Sequence, residues 1–205
     1  MAISGVEALA AYFAFFALVH SFLADPRFKS WGRKTFGDAF DRWQRLAYTV
    51  LALIMSLPFF YILAYLPDRI LYIVPWPGSG LMAAFQALAA LALLASLSQT
   101  GISRFLGLAE TDHLSAAGGL VTSGFYCHLR NPLFFFAALF LWLSPIMTLN
   151  LLAFNILATF YFYIGARHEE RSLHEEFGPE YDAYKKRVPM FLPRLRCRKD
   201  NINNA

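Results

Sequence analysis

Charged residues are scarce in this sequence. Only 16% of its 205 residues are Asp, Glu, Lys or Arg, whereas 58% are hydrophobic and the mean hydropathy is +0.43. A water-soluble chain of this size needs more polar side chains than that to cover its surface. The composition therefore excludes an ordinary soluble globule and indicates a protein that is largely surrounded by lipid.

Cysteine is rarer still, since the chain contains only Cys127 and Cys197. No Cys and His residues occur together at the spacing of a zinc site, and no glycine-rich loop follows a predicted strand. These absences argue against a metal centre and against a Rossmann-type cofactor domain. We expect both thiols to lie on the cytoplasmic side and to stay reduced, so a structural disulfide is not expected.

Long apolar stretches are what the sequence has in abundance. Three of them, 6–23, 46–66 and 81–97, approach the ~20 residues that a helix needs to cross the hydrocarbon core. A fourth, 133–166, has no charged residue and would make a rod of about 50 Å, so it has to fold back on itself. Pro145 and its neighbours up to Asn150 supply the break. We therefore predict an all-α, polytopic membrane protein with about five transmembrane helices, including a C-terminal helical hairpin.

The distribution of basic residues supports an odd number of crossings. Of 18 Lys and Arg residues, six fall in 25–45, two in 98–132 and nine in 166–205, whereas Arg69 alone falls in 67–78. Basic loops stay on the cytoplasmic side. We expect an integral protein of the bacterial cytoplasmic membrane, with the N-terminus outside and the C-terminus in the cytoplasm. This topology accounts for the net charge of +4, so no nucleic acid partner is expected.

An apolar stripe follows the last predicted span. Its members are spaced by three or four residues: Leu173, Phe177, Tyr181, Tyr184 and Val188. Such spacing is typical of an amphipathic cytoplasmic helix, which Gly178-Pro179 is expected to divide. Two interpretations stay open, a helix lying at the lipid headgroups and a lid over a site at the membrane face.

The residues that can carry chemistry lie at two membrane boundaries. Asn131 and Pro132 suit the N-cap and the first turn of a helix, whose free N–H groups can hold an anion. Glu169 and Glu170 leave the last span, where a charge is costly without a partner. Because the hairpin is antiparallel, we expect Arg130 and Glu169 to lie at the same depth. From the residues alone, a helix-end ion pair and a catalytic group are equally open.

Together with their neighbours, these residues resemble a family signature. Its elements are Gly124-Phe125-Tyr126, Arg130-Asn131-Pro132-Leu133, Glu169-Glu170, Phe177-Gly178-x-x-Tyr181-x-x-Tyr184, and Val188-Pro189 with Pro193. Over residues 118–194 the pattern is similar to the C-terminal signature of the isoprenylcysteine carboxyl methyltransferase and phospholipid methyltransferase superfamily. Segments 144–148, 169–171 and 188–190 look most similar to bacterial branches that include methanethiol S-methyltransferases and the nitric-oxide-reductase-associated NnrU type.

The resemblance implies an enzyme that uses S-adenosylmethionine, held between the hairpin and the C-terminal helix, and no metal. It implies catalytic roles for Arg130, Glu169 and Glu170. Asn131 stands where the family has a histidine, and His128 or His168 is a candidate to compensate. The implied cofactor-binding residues are Leu120, Val121, Gly124, Tyr126, His128, Arg130, Asn131, Pro132, Glu169, Glu170 and Tyr181.

The resemblance also suggests how the chain is organised within one structural domain. Residues 1–99 would form an N-terminal three-helix transmembrane part and residues 100–205 a C-terminal methyltransferase core. The expected partners are membrane lipids and a small or lipophilic methyl acceptor, which stays open among a thiol, a prenylcysteine and a phospholipid amine. A non-catalytic membrane assembly protein of the NnrU type is the other alternative, to which Asn131 gives weight.

Overall fold

The computed structural model of the protein describes residues 4–37, 39–100, 119–195 and 197. In chain order its elements are α1 (Gly5–Ala24), α2 (Pro26–Phe36), α3 (Ala39–Tyr65), β1 (Ile70–Ile73), α4 (Gly78–Thr100), a 3₁₀ helix (Gly124–Cys127), α5 (Pro132–Trp142), β2 (Ile146–Thr148), α6 (Leu149–Phe177) and α7 (Pro179–Arg187). The predicted all-α membrane architecture is confirmed. Residues 101–118 of the expected C-terminal core lie outside the described residues.

Among the residues that the structure describes, four helices are long and apolar enough to cross a membrane. They are α1, the Leu46–Tyr65 part of α3, α4 and α6. The fifth apolar helix, α5, has 11 residues and is therefore about 16 Å long, which is half the thickness of the hydrocarbon core. The hairpin that we predicted is thus asymmetric, since a short helix packs on a long one.

The first two helices begin at capping residues that the sequence supplies. The Ser4 side chain accepts a hydrogen bond from the Glu7 N–H at 3.3 Å, and the Glu7 carboxylate accepts one from the Ser4 N–H at 2.9 Å. This capping box satisfies donors that the first turn of α1 leaves unpaired. Asp25 then accepts from the Arg27 N–H at 2.6 Å and starts α2 directly after α1 ends.

The charge-free stretch 133–166 folds back where the sequence breaks its helical pattern. After α5 ends at Trp142, β2 pairs antiparallel with β1, Ile146 opposite Ile73. Thr148 caps α6, because its side chain accepts a hydrogen bond from the Leu151 N–H at 3.2 Å. The small sheet closes one end of the helix bundle, and the turn-around brings the start of α5 and the last turns of α6 together at the opposite end.

The interior of the bundle is built from aromatic and aliphatic side chains of α1, α3 and α6. Leu9, Phe59 and Ile62 form its centre, and the Tyr12 hydroxyl donates to the Met55 carbonyl at 2.8 Å. Large apolar side chains elsewhere on the spans are mostly exposed, Leu53 and Phe160 among them. A small core with an apolar exterior is what a bundle dissolved in lipid requires.

The long helix α6 ends where the sequence indicated. Its last residue is Phe177, and Gly178 follows with φ of +50°, a conformation that favours glycine. Helix α7 starts at Pro179, so the predicted division of the amphipathic segment is confirmed. The apolar stripe does not lie against lipid alone, because Tyr181, Tyr184 and Val188 pack into a cluster with Leu120, Leu173 and Phe177.

Candidate active site

The candidate site begins with the segment that leads into α5. Leu129 is buried, which fixes the segment against the bundle. The backbone N–H of Arg130 donates to the Pro189 carbonyl at 2.9 Å, and the N–H of Asn131 donates to the Met190 carbonyl at 3.3 Å. The segment that follows α7 therefore holds the backbone of the segment before α5 in place.

Arg130 forms a buried ion pair with α6. Its Nη2 lies 3.1 Å from the Oε1 of Glu170, and the two side chains are 9% and 5% exposed. The expectation that Glu169 lies opposite Arg130 is therefore wrong by one residue. Glu169 and Glu170 point about 100° apart around α6, and it is Glu170 that the helix turns toward α5.

Asn131 occupies the N-cap position of α5 but does not cap it with its side chain. Its Nδ2 donates instead to the Oε1 of Glu170 at 3.2 Å, and both side chains are buried. The predicted cap is thus corrected. Burial explains the choice, since a buried carboxylate needs every donor within reach more than a helix end does.

Donors remain unused beside this ion pair. The Nε and Nη1 of Arg130 and the hydroxyl of Tyr181 are buried and have no hydrogen-bond partner. The Tyr181 hydroxyl is near enough to the carboxylate of Glu170 for that charge to act on it. Since buried polar groups are nearly always paired, donors left over at one point indicate a place where an anionic or polar ligand completes the pairing.

Three tyrosines surround the ion pair. Burial first, and then the charge of Glu170, raise the pKa of Tyr181 to about 12. Burial together with the charge of Glu169 raises the pKa of Tyr126, which places Glu169 near that phenol. Burial also raises the pKa of Tyr184, whose hydroxyl donates to the Tyr126 carbonyl at 2.6 Å. These phenols stay neutral at physiological pH and act as hydrogen-bonding groups.

The remaining predicted residues have different surroundings. Leu120 packs on the tyrosine cluster, and Val121 beside it is half-buried. Gly124 has φ of +61°, and a Cβ there would lie 2.5 Å from the Gln99 side chain, so its role is to shape the turn. His128 donates through Nδ1 to the Arg194 carbonyl at 2.6 Å, and Pro132 is buried at the start of α5.

The expectation of two reduced thiols is wrong. Cys127 and Cys197 are joined by a disulfide, with their Cα atoms 5.5 Å apart. The sequence separation of 70 residues hid this proximity. The backbone N–H of Arg194 donates to the His128 carbonyl at 2.9 Å, so the tail runs back along the segment before α5 and brings the two cysteines within bonding range.

Sequence reasoning missed the groups that hold the site in shape. Gln99 accepts a hydrogen bond from the Phe125 N–H at 3.2 Å, and the carbonyls of Pro189 and Met190 bind the segment before α5. The Val188-Pro189 element of the signature was the only signal for this contact. Within the described ranges, no group of three or more His, Cys, Asp or Glu side chains is placed to hold a metal ion.

Comparison with known proteins gives several similar methyltransferases. Methanethiol S-methyltransferase 2 of Bradyrhizobium diazoefficiens is 32% identical over 201 residues, covering 90% of this chain and 71% of the relative. Methanethiol S-methyltransferase of Pseudomonas deceptionensis is 31% identical over 88% and 70% of the two chains. That of Mycobacterium tuberculosis is 28% identical over 87% and 74%. No family model and no solved structure matches this chain.

Proposed function

This chain belongs to the methanethiol S-methyltransferase family, and from that premise we propose that it is a membrane enzyme that methylates a small thiol. The relatives support both the reaction class and the thiol acceptor. We further propose S-adenosylmethionine as the methyl donor, which the resemblance over residues 118–194 implies. When bound, it supplies an electrophilic methyl group on a positively charged sulfur.

The observation that carries this proposal is the incomplete pairing of Arg130. Its Nη2 binds Glu170, whereas its Nε and Nη1 are buried and still have N–H groups to donate. A guanidinium cannot lose its charge, so these donors favour an anion. The carboxylate on the methionine part of the donor fits them, and the Tyr181 hydroxyl is available to a second polar group of the same ligand.

The charge balance of the site also supports a cationic methyl donor. Glu169 and Glu170 contribute two negative charges, and Arg130 compensates one of them. The remaining charge attracts a sulfonium, and this attraction disappears once methyl transfer has made the sulfur neutral. These carboxylates therefore favour binding of the donor and release of its product.

We assign the proton of the thiol to Glu169. A thiolate is the nucleophilic form of a thiol, so the S–H proton has to leave before or while the new carbon–sulfur bond forms. Glu170 is already engaged by Arg130 and Asn131. Glu169 is the other carboxylate of the site, half-buried on the side of Tyr126, and can accept that proton.

We propose that the end of the bundle with Arg130 faces the cytoplasm. Helix α2, with four Lys and Arg residues, and helix α7, with three, both lie at this end. Basic segments are retained on the cytoplasmic side of a bacterial membrane. A water-soluble methyl donor then enters from the cytoplasm, and an apolar thiol enters from the lipid between the helices.

Methyl transfer to methanethiol tests the proposal directly. The purified protein in detergent is given S-adenosylmethionine with an isotopically labelled methyl group, and labelled dimethyl sulfide is measured in the headspace by gas chromatography and mass spectrometry. We expect product with wild type and none with Glu169→Gln. Phosphatidylethanolamine and farnesylcysteine serve as competing acceptors. Label in phospholipid would redirect the assignment to N-methylation, and folded protein without any product would favour a non-catalytic assembly role.

A further inference from the structure

His20 lies inside the membrane-spanning part of the bundle and does not belong to the site around Arg130. It is part of α1, one turn before that helix ends at Ala24, and its side chain is 4% exposed. An ionisable side chain inside a span is costly, and those that occur there usually serve a function. The surroundings of His20 indicate which function is open to it.

The two ring nitrogens of His20 differ in their pairing. Nδ1 lies 3.1 Å from the Phe16 carbonyl oxygen, and because a carbonyl can only accept, Nδ1 carries a proton and donates it. In the neutral ring, Nε2 then keeps a free lone pair. Among the described residues, Nε2 is buried and has no hydrogen-bond partner. Since buried polar atoms are nearly always paired, Nε2 is a place for a ligand that donates a hydrogen bond.

The environment of the His20 ring is aromatic. The Phe16 ring stacks on the imidazole with the ring centroids 4.0 Å apart, and the Tyr48 ring meets it edge-on at 5.2 Å. Tyr161 of α6 packs in turn on Phe16 at 5.7 Å. These rings offer no counter-charge to an ionic ligand, which would lose its hydration here. A small apolar molecule with one polar hydrogen, such as an alkyl thiol, needs no partner other than Nε2.

Helices α1 and α6 run side by side in the same direction, and their contacts fix the depth of His20. Near the sheet, Gly5 lies against the Asn150 side chain, and further along the Phe16 ring contacts Tyr161. Both contacts join residues that are 145 positions apart, so the two helices keep their register. His20 is therefore level with the turn of α6 that follows Tyr161.

The carboxylates of the candidate active site begin one turn beyond that level. At roughly 1.5 Å per residue, Glu169 lies about 6 Å further along α6 than the level of His20. At about 100° per residue, Tyr161 and Glu170 face opposite sides of α6, and Glu169 lies between them. Glu169 thus borders both the side of α6 that faces α1 and the side that faces Arg130.

From this placement we propose that His20 binds the methyl acceptor. The S–H group of a small thiol donates to Nε2, and the alkyl group of the thiol lies against the Phe16 and Tyr48 rings. The sulfur then lies between His20 and Glu169, on the membrane side of the Arg130 site. This inference rests on the proposed methyl transfer to a thiol and adds the residue that selects a neutral, apolar thiol over an ionic one.

The same hydrogen bond gives the thiol proton its first acceptor. The S–H bond breaks, Nε2 takes the proton, and the electron pair left on the sulfur forms the bond to the methyl carbon. The bond between that carbon and the donor sulfur breaks, and its electron pair stays on the donor sulfur. The imidazolium of His20 then passes its proton to Glu169, one turn away, so Glu169 remains the final acceptor.

Nuclear magnetic resonance tests the binding step without turnover. The full chain in detergent, isotopically labelled at its histidine nitrogens, is titrated with methanethiol, with and without S-adenosylhomocysteine to fill the donor side. We expect methanethiol to shift the Nε2 resonance that is missing in His20→Leu. Dimethyl sulfide has no S–H hydrogen and should not shift it. No shift with methanethiol, or an equal shift with dimethyl sulfide, would overturn the proposal.

Steady-state kinetics separates binding of the acceptor from binding of the donor. His20→Leu should raise KM for methanethiol at least about tenfold, as for the loss of one buried hydrogen bond, and lower kcat. Calorimetric affinity for S-adenosylmethionine should stay unchanged, which also shows that the variant is folded. His20→Gln keeps an acceptor but cannot take a proton, so KM should recover while kcat stays low.

A matched control removes a histidine elsewhere on the chain. His174 is exposed and pairs with Asp182 at 3.1 Å, so His174→Leu should change neither KM nor kcat. An unchanged KM in His20→Leu would contradict the assignment of His20. Wild type that makes no dimethyl sulfide would instead refute the proposed function, and the resonance experiment would then decide by itself whether His20 binds a thiol.

Discussion

Two polar clusters lie at opposite ends of the bundle, and they differ in how completely they are paired. At the sheet end, the Oδ1 of Asp68 accepts from the N–H groups of Arg69 at 2.7 Å and Asn150 at 3.0 Å, and the Asn150 side chain donates to the Pro67 carbonyl at 3.2 Å. No buried polar atom of the Asn150 side chain lacks a partner. At the other end, Arg130 and Tyr181 keep unpaired donors.

The difference indicates what each cluster is for. A cluster that satisfies its own hydrogen bonds lowers the free energy of the folded chain and needs nothing from outside. A buried cluster with unpaired donors destabilises the folded chain, and folds keep such a cluster where a bound ligand supplies the missing hydrogen bonds. We therefore interpret the sheet-end cluster as structural and the Arg130 cluster as the binding site. Substitutions in the two should separate stability from activity.

The largest effect is expected from Arg130→Ala. Affinity for S-adenosylmethionine, measured by calorimetry, and thiol methylation should both fall at least about 100-fold, because a fixed charge at the site is removed. Glu170 would also lose its partner, and a buried unpaired charge destabilises a protein by about 3–5 kcal/mol.

A paired substitution separates these two effects. Arg130→Met combined with Glu170→Gln removes both charges, so the thermal unfolding temperature should recover while the activity stays lost. If activity returned together with stability, Arg130 would be only an anchor of the hairpin.

A smaller loss is expected at Asn131. Asn131→Leu removes a hydrogen bond to the buried Glu170 carboxylate, and turnover should fall about tenfold, as for other hydrogen bonds to charged groups. Asn131→His restores a donor of the type that the resembling family has at this position and should keep most of the activity. Steady-state rates of dimethyl sulfide formation compare the two variants, and equal rates would show that the donor is unimportant.

Two tyrosines sharpen the comparison within a single cluster. The Tyr181 hydroxyl is unpaired, so Tyr181→Phe should weaken binding of S-adenosylmethionine by about threefold to tenfold and leave the unfolding temperature unchanged. The Tyr184 hydroxyl donates to the Tyr126 carbonyl, so Tyr184→Phe should instead cost about 1–3 kcal/mol of stability. Calorimetric binding and thermal unfolding on both variants check this, and the reverse pattern would contradict our assignment.

The smallest effect is expected at the sheet end. Burial would raise the pKa of Asp68, but hydrogen bonds from Thr148 and the Asn150 backbone outweigh it and lower that pKa. A carboxyl group with a lowered pKa stabilises the fold above its unfolded pKa, and this contribution disappears as the pH falls through the folded value. Thermal unfolding from pH 7 to pH 3 should show this loss in wild type and not in Asp68→Asn, with identical methylation rates at pH 7.

Much of the fold was predictable because its signals are local. Uninterrupted apolar stretches predicted the spans, and Pro145 with the polar residues after it predicted the turn of the hairpin. Gly178-Pro179 predicted the break between α6 and α7. The same local signals bound the length of α5, which runs from Pro132 to Trp142, just before Pro145. The pairing of β2 with β1 at this turn was not predicted, because it joins segments that are far apart in the chain.

The sequence by itself determined which residues are candidates for the site, since Arg130, Asn131 and Glu170 all stand in the family signature. Only the tertiary structure decided which side chains pair. It shows that Glu170, and not Glu169, faces Arg130, and that Asn131 binds the Glu170 carboxylate instead of capping α5. It also shows that Cys127 pairs with Cys197. The physical reason is the distance along the chain over which each kind of interaction acts. Hydropathy and capping depend on neighbours a few residues away, whereas ion pairs and disulfides depend on the rotation and approach of helices that are distant in the chain.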